Sequence, residues 1–179
     1  MRVETIRVKK SKPVDGLVSN PLKCRKGELK LVLLGTGNPF GGFYRTRPAS
    51  ILVAGSHYFL IDCGSGAVQR LLQAGVFPSQ VNHLFFTHHH ADHNAGFIDF
   101  VYTSCFPREV PRREQKLMVL GPTNTVQVLT KMRDSLDYDF STRPSFTPEV
   151  TEIEYKQSNG GLVYQQDDVK VFAFEVDHG

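Results

Sequence analysis

Apolar residues in this chain come in short blocks separated by glycine, proline and polar runs, and most blocks are strand-sized. The first strong one is LKLVLLG, residues 29–35, an apolar run closed by glycine that predicts a strand. A glycine- and proline-rich loop, TGNPFGGFYRTRP at 36–48, separates it from ASILVAG and HYFLIDCG. These two read as a strand pair joined by the tight AGSH turn. AVQRLLQAG at 67–75 has helical spacing and a closing glycine, and VNHLFF at 81–86 is a short apolar strand. NAGFIDFVYTSCF then predicts a helix against the core, and KLMVLGP at 116–122 a strand and turn. TNTVQVLTKMRDSL at 123–136 is the clearest amphipathic helix, with Thr123 as its expected cap. A polar loop runs to about residue 148. VTEIEY, GLVYQQ and VKVFAFEV follow, with the alternation of an antiparallel sheet. Strands with helices set between them predict an α/β fold of two sheets with helices outside.

Composition narrows the class. The chain has 179 residues, 40% hydrophobic and 22% charged, which suits one globular unit. No apolar run reaches the roughly 18 residues of a membrane span, so no membrane partner is expected. The opening MRVETIRVKKSKPVDG lacks the apolar stretch of a signal peptide. Cys24, Cys63 and Cys105 are widely spaced and form no C-x-x-C pair, so a reducing, cytoplasmic setting is expected rather than a disulfide framework. The net charge of +3 is uneven: residues 1–30 hold nine Lys/Arg against three acids, and the remainder holds twelve against fifteen. The basic character belongs to an irregular leader, residues 1–28, expected to be a solvated arm or one that meets nucleic acid.

The chemistry concentrates in THHHADHNAG, residues 87–96. Four histidines and an aspartate in seven positions have no place in a core strand, where each buried polar group needs a partner. Written as His88-x-His90-x-Asp92-His93, the run follows directly on the strand at 81–86. His88 and His90 then project to the same side, and His89 to the other. Asp92 and His93 fall where the chain turns into a helix, whose start favours a carboxylate. Two adjacent ligand sets result. Their nitrogen and carboxylate donors suit zinc, with manganese or iron as alternatives. By composition alone such a run arises about six times in ten thousand chains of this kind. His57 and His83 sit in strand-like segments and read as structural histidines.

FTHHHADHNAG resembles the signature of the metallo-β-lactamase superfamily of metal-dependent hydrolases. LVLLGTGNPF, the Arg and Ser of RTRPAS, FLIDCG, LGP at 120–122 and VKVFAFEVDHG at 169–179 are similar to its ribonuclease Z and arylsulfatase-like branch. The resemblance covers residue 29 to the last residue. It implies a four-layer αββα sandwich, incomplete at the carboxyl terminus, with residues 29–179 as the amino-terminal part of a hydrolase domain. It implies that His88, His90 and His178 hold one metal, that Asp92 and His93 join a second, and that Asp62 orients the cluster from outside. Cys63 reads as a small buried residue. A bridging aspartate and a final histidine of the family pattern would lie beyond residue 179. The first metal therefore has three ligands here and the second only two, and uncovered apolar surface and poor stability are expected.

The expected activity is metal-assisted hydrolysis by two zinc ions, with Asp92 both a ligand and the holder of the nucleophile's proton. Ser50 and Ser65 read as strand and turn residues, not nucleophiles. A phosphodiester, RNA included, is the expected substrate, and a sulfate ester is the alternative. A metal-binding fragment without catalysis is the alternative of another class. Arg45 and Arg47 in the 36–48 loop are the candidate contacts to a substrate anion. A second copy of the chain is an admissible partner.

Overall fold

The protein is described by a computed structural model covering residues 3–5, 22–25, 27–40, 44–105, 113–135, 149–153 and 160–178. Most of the basic leader, the polar loop at 136–148 and the end of the VTEIEY segment lie outside the described residues.

Seven strands form one mixed sheet in sequence order: β1 (Val3–Thr5), β2 (Leu29–Gly35), β3 (Ala49–Ala54), β4 (His57–Ile61), β5 (His83–Phe85), β6 (Met118–Pro122) and β7 (Glu149–Ile153). β2, β3 and β4 are antiparallel neighbours, and β4 to β7 run parallel. A parallel pair needs a crossover, and helices supply most of these connections. α1 (Ala67–Gln73) leads to β5, α2 (Ala91–Asn94) and α3 (Phe97–Cys105) lead to β6, and α4 (Thr125–Asp134) leads towards β7. Among the described residues, no helix is long and apolar enough to cross a membrane.

The period of two in the strands now has its cause. In β3, Ala49, Ile51 and Val53 are buried against the helices, together with Val32, Leu60, Leu84 and Val119 of neighbouring strands. The alternate positions Leu52, Phe59, Phe85 and Leu120 face the other way, onto a hairpin of β8 (Gly161–Gln166) and β9 (Val169–Ala173). Both faces of the sheet are therefore covered, and its strands read as nearly continuous apolar runs. Helices, the large sheet and the hairpin make three successive layers. This is the α/β sandwich that the sequence predicts, and its second sheet is represented by the hairpin. Leu162, Phe172, Phe174 and Val176 on or after that hairpin are 48–75% exposed, so apolar surface is left uncovered as expected. An apolar cleft of about 440 Å³ separates the hairpin from the sheet beside Phe59, Phe85 and Leu120.

Three expectations need correction. Val3–Thr5, inside the supposedly irregular leader, pair in parallel with Leu29–Leu31. Residues 22–25 of the same leader are also held: the Tyr58 hydroxyl donates to the Leu22 carbonyl at 2.6 Å, and Leu22 and Cys24 pack on the core. The VTEIEY strand joins the large sheet in parallel with β6, because alternation reports a covered face and says nothing of strand direction. Thr123 is not the cap of the fourth helix. Asn124 takes the cap position at φ 75° with no side-chain bond, and the helix starts at Thr125. The Thr125 hydroxyl reaches back to the Pro122 carbonyl at 2.6 Å.

Candidate metal centre

The site is built at the carboxyl end of β4 and β5. The Asp62 N–H, just past β4, donates to the Phe85 carbonyl at 2.8 Å, and the Phe86 N–H to the Leu120 carbonyl at 2.8 Å. The chain leaves this support as the loop 87–90 and turns into α2, whose first turn carries Asp92. Three backbone segments meet beneath it. The Cys63 N–H donates to the His93 carbonyl at 2.7 Å, Gly96 N–H to the Cys63 carbonyl at 2.8 Å, and Gly64 N–H to the Pro48 carbonyl at 3.0 Å. A Cβ on Gly64 would stand 2.3 Å from the Asp92 carbonyl oxygen and 2.4 Å from the Arg47 Cβ. Neither can retreat without moving the loop. Gly64→Ala is therefore expected to cost about 2–3 kcal/mol, read as a lower urea midpoint with an unchanged slope.

Asp62 organises the histidines. It is 5% exposed and holds φ 57°, a left-handed conformation that an aspartate adopts more readily than most residues. Its carboxylate accepts from the Thr87 N–H at 2.8 Å, from the Thr87 hydroxyl at 2.9 Å and from His93 Nδ1 at 2.7 Å. These bonds assign the protons. The Thr87 hydroxyl donates its only hydrogen to Asp62, so it accepts from His88 Nδ1–H, 3.0 Å away. His88 is left with a bare lone pair on Nε2. By the same reasoning His93 presents a bare Nε2, 3.8 Å from an Asp92 oxygen.

His88 Nε2 lies 3.0 Å from His90 Nδ1 and 3.1 Å from His178 Nε2. One nitrogen from each of these three residues lies within 4.8 Å of the others. His178 arrives from the far end of the chain, five residues past β9. Nitrogen lone pairs gathered so closely repel unless a proton or a cation lies among them. The ligand nitrogens of a tetrahedral zinc site stand about 3.3 Å apart, near the spacings found here. Burial first, then the neighbouring His93, His178 and His90, hold the His88 imidazole below its ordinary proton affinity, which favours the neutral, ligating form. The donor set therefore fits a divalent metal held by His88, His90 and His178. The His93 ring lies 4.0 Å from that of His88, and an Asp92 oxygen lies 3.8 Å from its Nε2.

The other expected residues are placed as follows. His89 turns away from the cluster to Thr125, its Nε2 2.9 Å from the hydroxyl. Cys63 is fully buried, and burial pushes its thiol well above the ordinary range, so it is an inert packing residue. His57 pairs with Asp167 at 2.8 Å and His83 with Tyr164 at 2.9 Å, both away from the site. The Arg47 Cβ borders Gly64, and its guanidinium is already engaged by the Asn38 carbonyl; Arg45 is exposed. Thr87 was missed by sequence reasoning. Its position directly before the first histidine was the available signal, but its hold on the His88 tautomer depends on Asp62.

Comparison with known proteins agrees with this architecture. Ribonuclease Z of Mycolicibacterium gilvum (strain PYR-GCK) is 31% identical over 156 residues, covering 84% of this chain and 53% of its own length. The human tRNase Z, short form, superposes with a TM-score of 0.66 at 21% identity, over 80% of this chain and 59% of that one. The metallo-β-lactamase fold protein YhfI of Bacillus subtilis gives 0.56 at 14% identity, over 80% and 56%. The chain thus spans about half the length of the curated relatives it matches. Sheet, hairpin and histidine loop together define a protein of the metallo-β-lactamase superfamily, ribonuclease Z-like in kind. The family described as Anti-Pycsar protein Apyc1 matches residues 29–172, and the chain belongs to that family.

Proposed function

We propose that this chain carries the metal-binding half of a metal-dependent hydrolase acting on phosphodiester bonds, with RNA among its candidate substrates. The observation that supports it most is the convergence of His88, His90 and His178 with the His88 proton turned away towards Thr87. A three-histidine set leaves a coordination position open, as hydrolytic sites require. Zinc is the metal proposed from the donor set, with manganese or iron as alternatives. When bound, such an ion supplies Lewis acidity, which lowers the pKa of water and polarises a phosphoryl oxygen.

The residues divide the remaining work. Asp62 and Thr87 keep His88 and His93 in the tautomers that expose their Nε2 atoms. Asp92, 3.8 Å from His93 Nε2, is the proposed ligand of a second ion and the proposed holder of an attacking water's proton. Arg45 is exposed on the 36–48 loop, where it is the proposed contact to the substrate anion. The ribonuclease Z relatives favour a phosphodiester over a sulfate ester.

Metal titration of the intact chain, followed by assays on bis-p-nitrophenyl phosphate, p-nitrophenyl sulfate and precursor transfer RNA, tests this reading. Metal uptake with turnover of the phosphodiester is expected. Preference for the sulfate ester would move the activity to the other branch. Metal uptake without turnover of any of the three would make this chain a binding module, and no uptake would overturn the metal centre itself.

A further inference from the structure

A second cluster of polar side chains lies at the opposite rim of the sheet, where β4 and β5 begin. His57, the first residue of β4, meets Asp167 of the β8–β9 turn, Nε2 to Oδ2, at 2.8 Å. Asp167 holds φ 50° in that turn. His83, the first residue of β5, is 8% exposed, with ring centroids 5.0 Å from Phe59 and 4.8 Å from Tyr164. The Tyr164 hydroxyl donates to Gln166 Oε1 at 2.6 Å, so it accepts from His83 Nε2–H at 2.9 Å. His83 Nδ1 is then a buried lone pair with no hydrogen-bond partner among the described residues. Neither histidine touches the metal loop. Both instead tie the hairpin to the large sheet, and β9 of that hairpin continues through Phe174–Asp177 to His178.

We propose that His57–Asp167 and His83–Tyr164–Gln166 form a clasp that registers the β8–β9 hairpin on the large sheet and so positions His178 at the histidine cluster. The contacts beneath the clasp are mostly apolar and non-directional, so they hold the hairpin close without fixing its register. Directional hydrogen bonds at the turn supply the register. The positioning of His178 rests on the metal-centre reading; the docking of the hairpin does not.

The clasp is acid-sensitive by construction. Burial, with a smaller contribution from His57, lowers the His83 imidazole to about 4. Facing it are His57 from β4, Tyr164 and Gln166 from β8, and Asp167 through its pair with His57, while β6 presents Met118 at the paired position. No carboxylate contacts the His83 ring among these. The undocked hairpin therefore lets His83 take a proton that the docked form refuses. Docking is full above the ordinary histidine value of about 6.5 and is lost as pH falls from there towards 4.

Backbone amide exchange of the intact chain, corrected for its intrinsic pH dependence, tests the clasp by comparing residues 161–173 with the strands at 49–61. Tyr164→Phe and Asp167→Asn are each expected to speed hairpin exchange about five- to tenfold, with the main strands unchanged. Cobalt(II) affinity should weaken by a similar factor in the same variants, because docking and His178 ligation are linked. His83→Gln retains a donor towards Tyr164; near wild-type protection at neutral pH is expected, without the loosening between pH 6.5 and 4. Unchanged hairpin exchange in both variants, or hairpin and main strands loosening together, would overturn the clasp, as would acid loosening that persists in His83→Gln. A loosened hairpin with undiminished cobalt affinity would overturn the positioning of His178. If the wild-type chain takes up no cobalt, the metal-centre reading and the positioning of His178 both fail, while the exchange comparison still decides the docking.

Discussion

Asp62→Ala is expected to cost the protein about 3–5 kcal/mol of stability and most of its metal affinity. The carboxylate is buried and accepts from Thr87 twice and from His93 once through its shortest contacts. Its removal strands the Thr87 N–H and the His93 Nδ1–H, and each unsatisfied donor costs its own desolvation. It also releases the Thr87 hydroxyl, which then has no fixed direction in which to donate. The His88 ring loses the acceptor that keeps its proton on Nδ1. Urea unfolding reads the first effect and cobalt(II) titration the second. Asp62→Asn separates the two. Asparagine tolerates the left-handed backbone at this position, so most of the stability should remain. Its amide can accept at only one end, so metal affinity should still fall about 10- to 100-fold. Wild-type affinity in Asp62→Asn would show that the carboxylate does not set the histidine tautomers.

His88→Ala should have the larger effect on metal and the smaller effect on stability. His88 is the hub of the cluster: its Nε2 faces both His90 and His178, and its ring packs against that of His93. Without it, two exposed imidazoles remain, His90 on the loop and His178 beyond the hairpin. Loss of a direct ligand should exceed the 10- to 100-fold effect of losing an outer partner, so cobalt(II) affinity is expected to drop more than about 100-fold. Turnover of bis-p-nitrophenyl phosphate should vanish with it. The urea midpoint should shift little, since the ring contributes little to the core. His89→Ala is the matched control. Its side chain is tied to Thr125 on the other side of the loop, so affinity should stay at the wild-type value. Equal losses in the two variants would mean that the loop, rather than the His88 nitrogen, holds the ion.

Much of the fold is legible in the sequence because most strands are covered on both faces. Each appears as an apolar run bounded by glycine, proline or polar residues, as at 29–35 and 49–61. Where the strands depart from the pattern, the cause is a partner distant along the chain. Val3–Thr5 has no apolar run of its own and forms a strand only beside β2. Glu149–Ile153 alternates like an antiparallel strand and lies parallel to β6. The helix after β6 begins at Thr125 rather than at Thr123 because the Thr125 hydroxyl folds back on Pro122.

The candidate site divides along the same line. The residues of the histidine loop carry their own donors, and a spacing of two along an extended chain places His88 and His90 on one side and His89 on the other. Those facts follow from local geometry, and sequence alone determined them. Proton placement does not follow from it. Which nitrogen of His88 is free depends on Thr87, whose hydroxyl is turned by Asp62, twenty-five positions earlier. Nor can local spacing bring His178 across ninety residues to His88. Only the docking of the β8–β9 hairpin does so, because a ligand distant in sequence reaches its ion only where long-range packing delivers the chain that carries it.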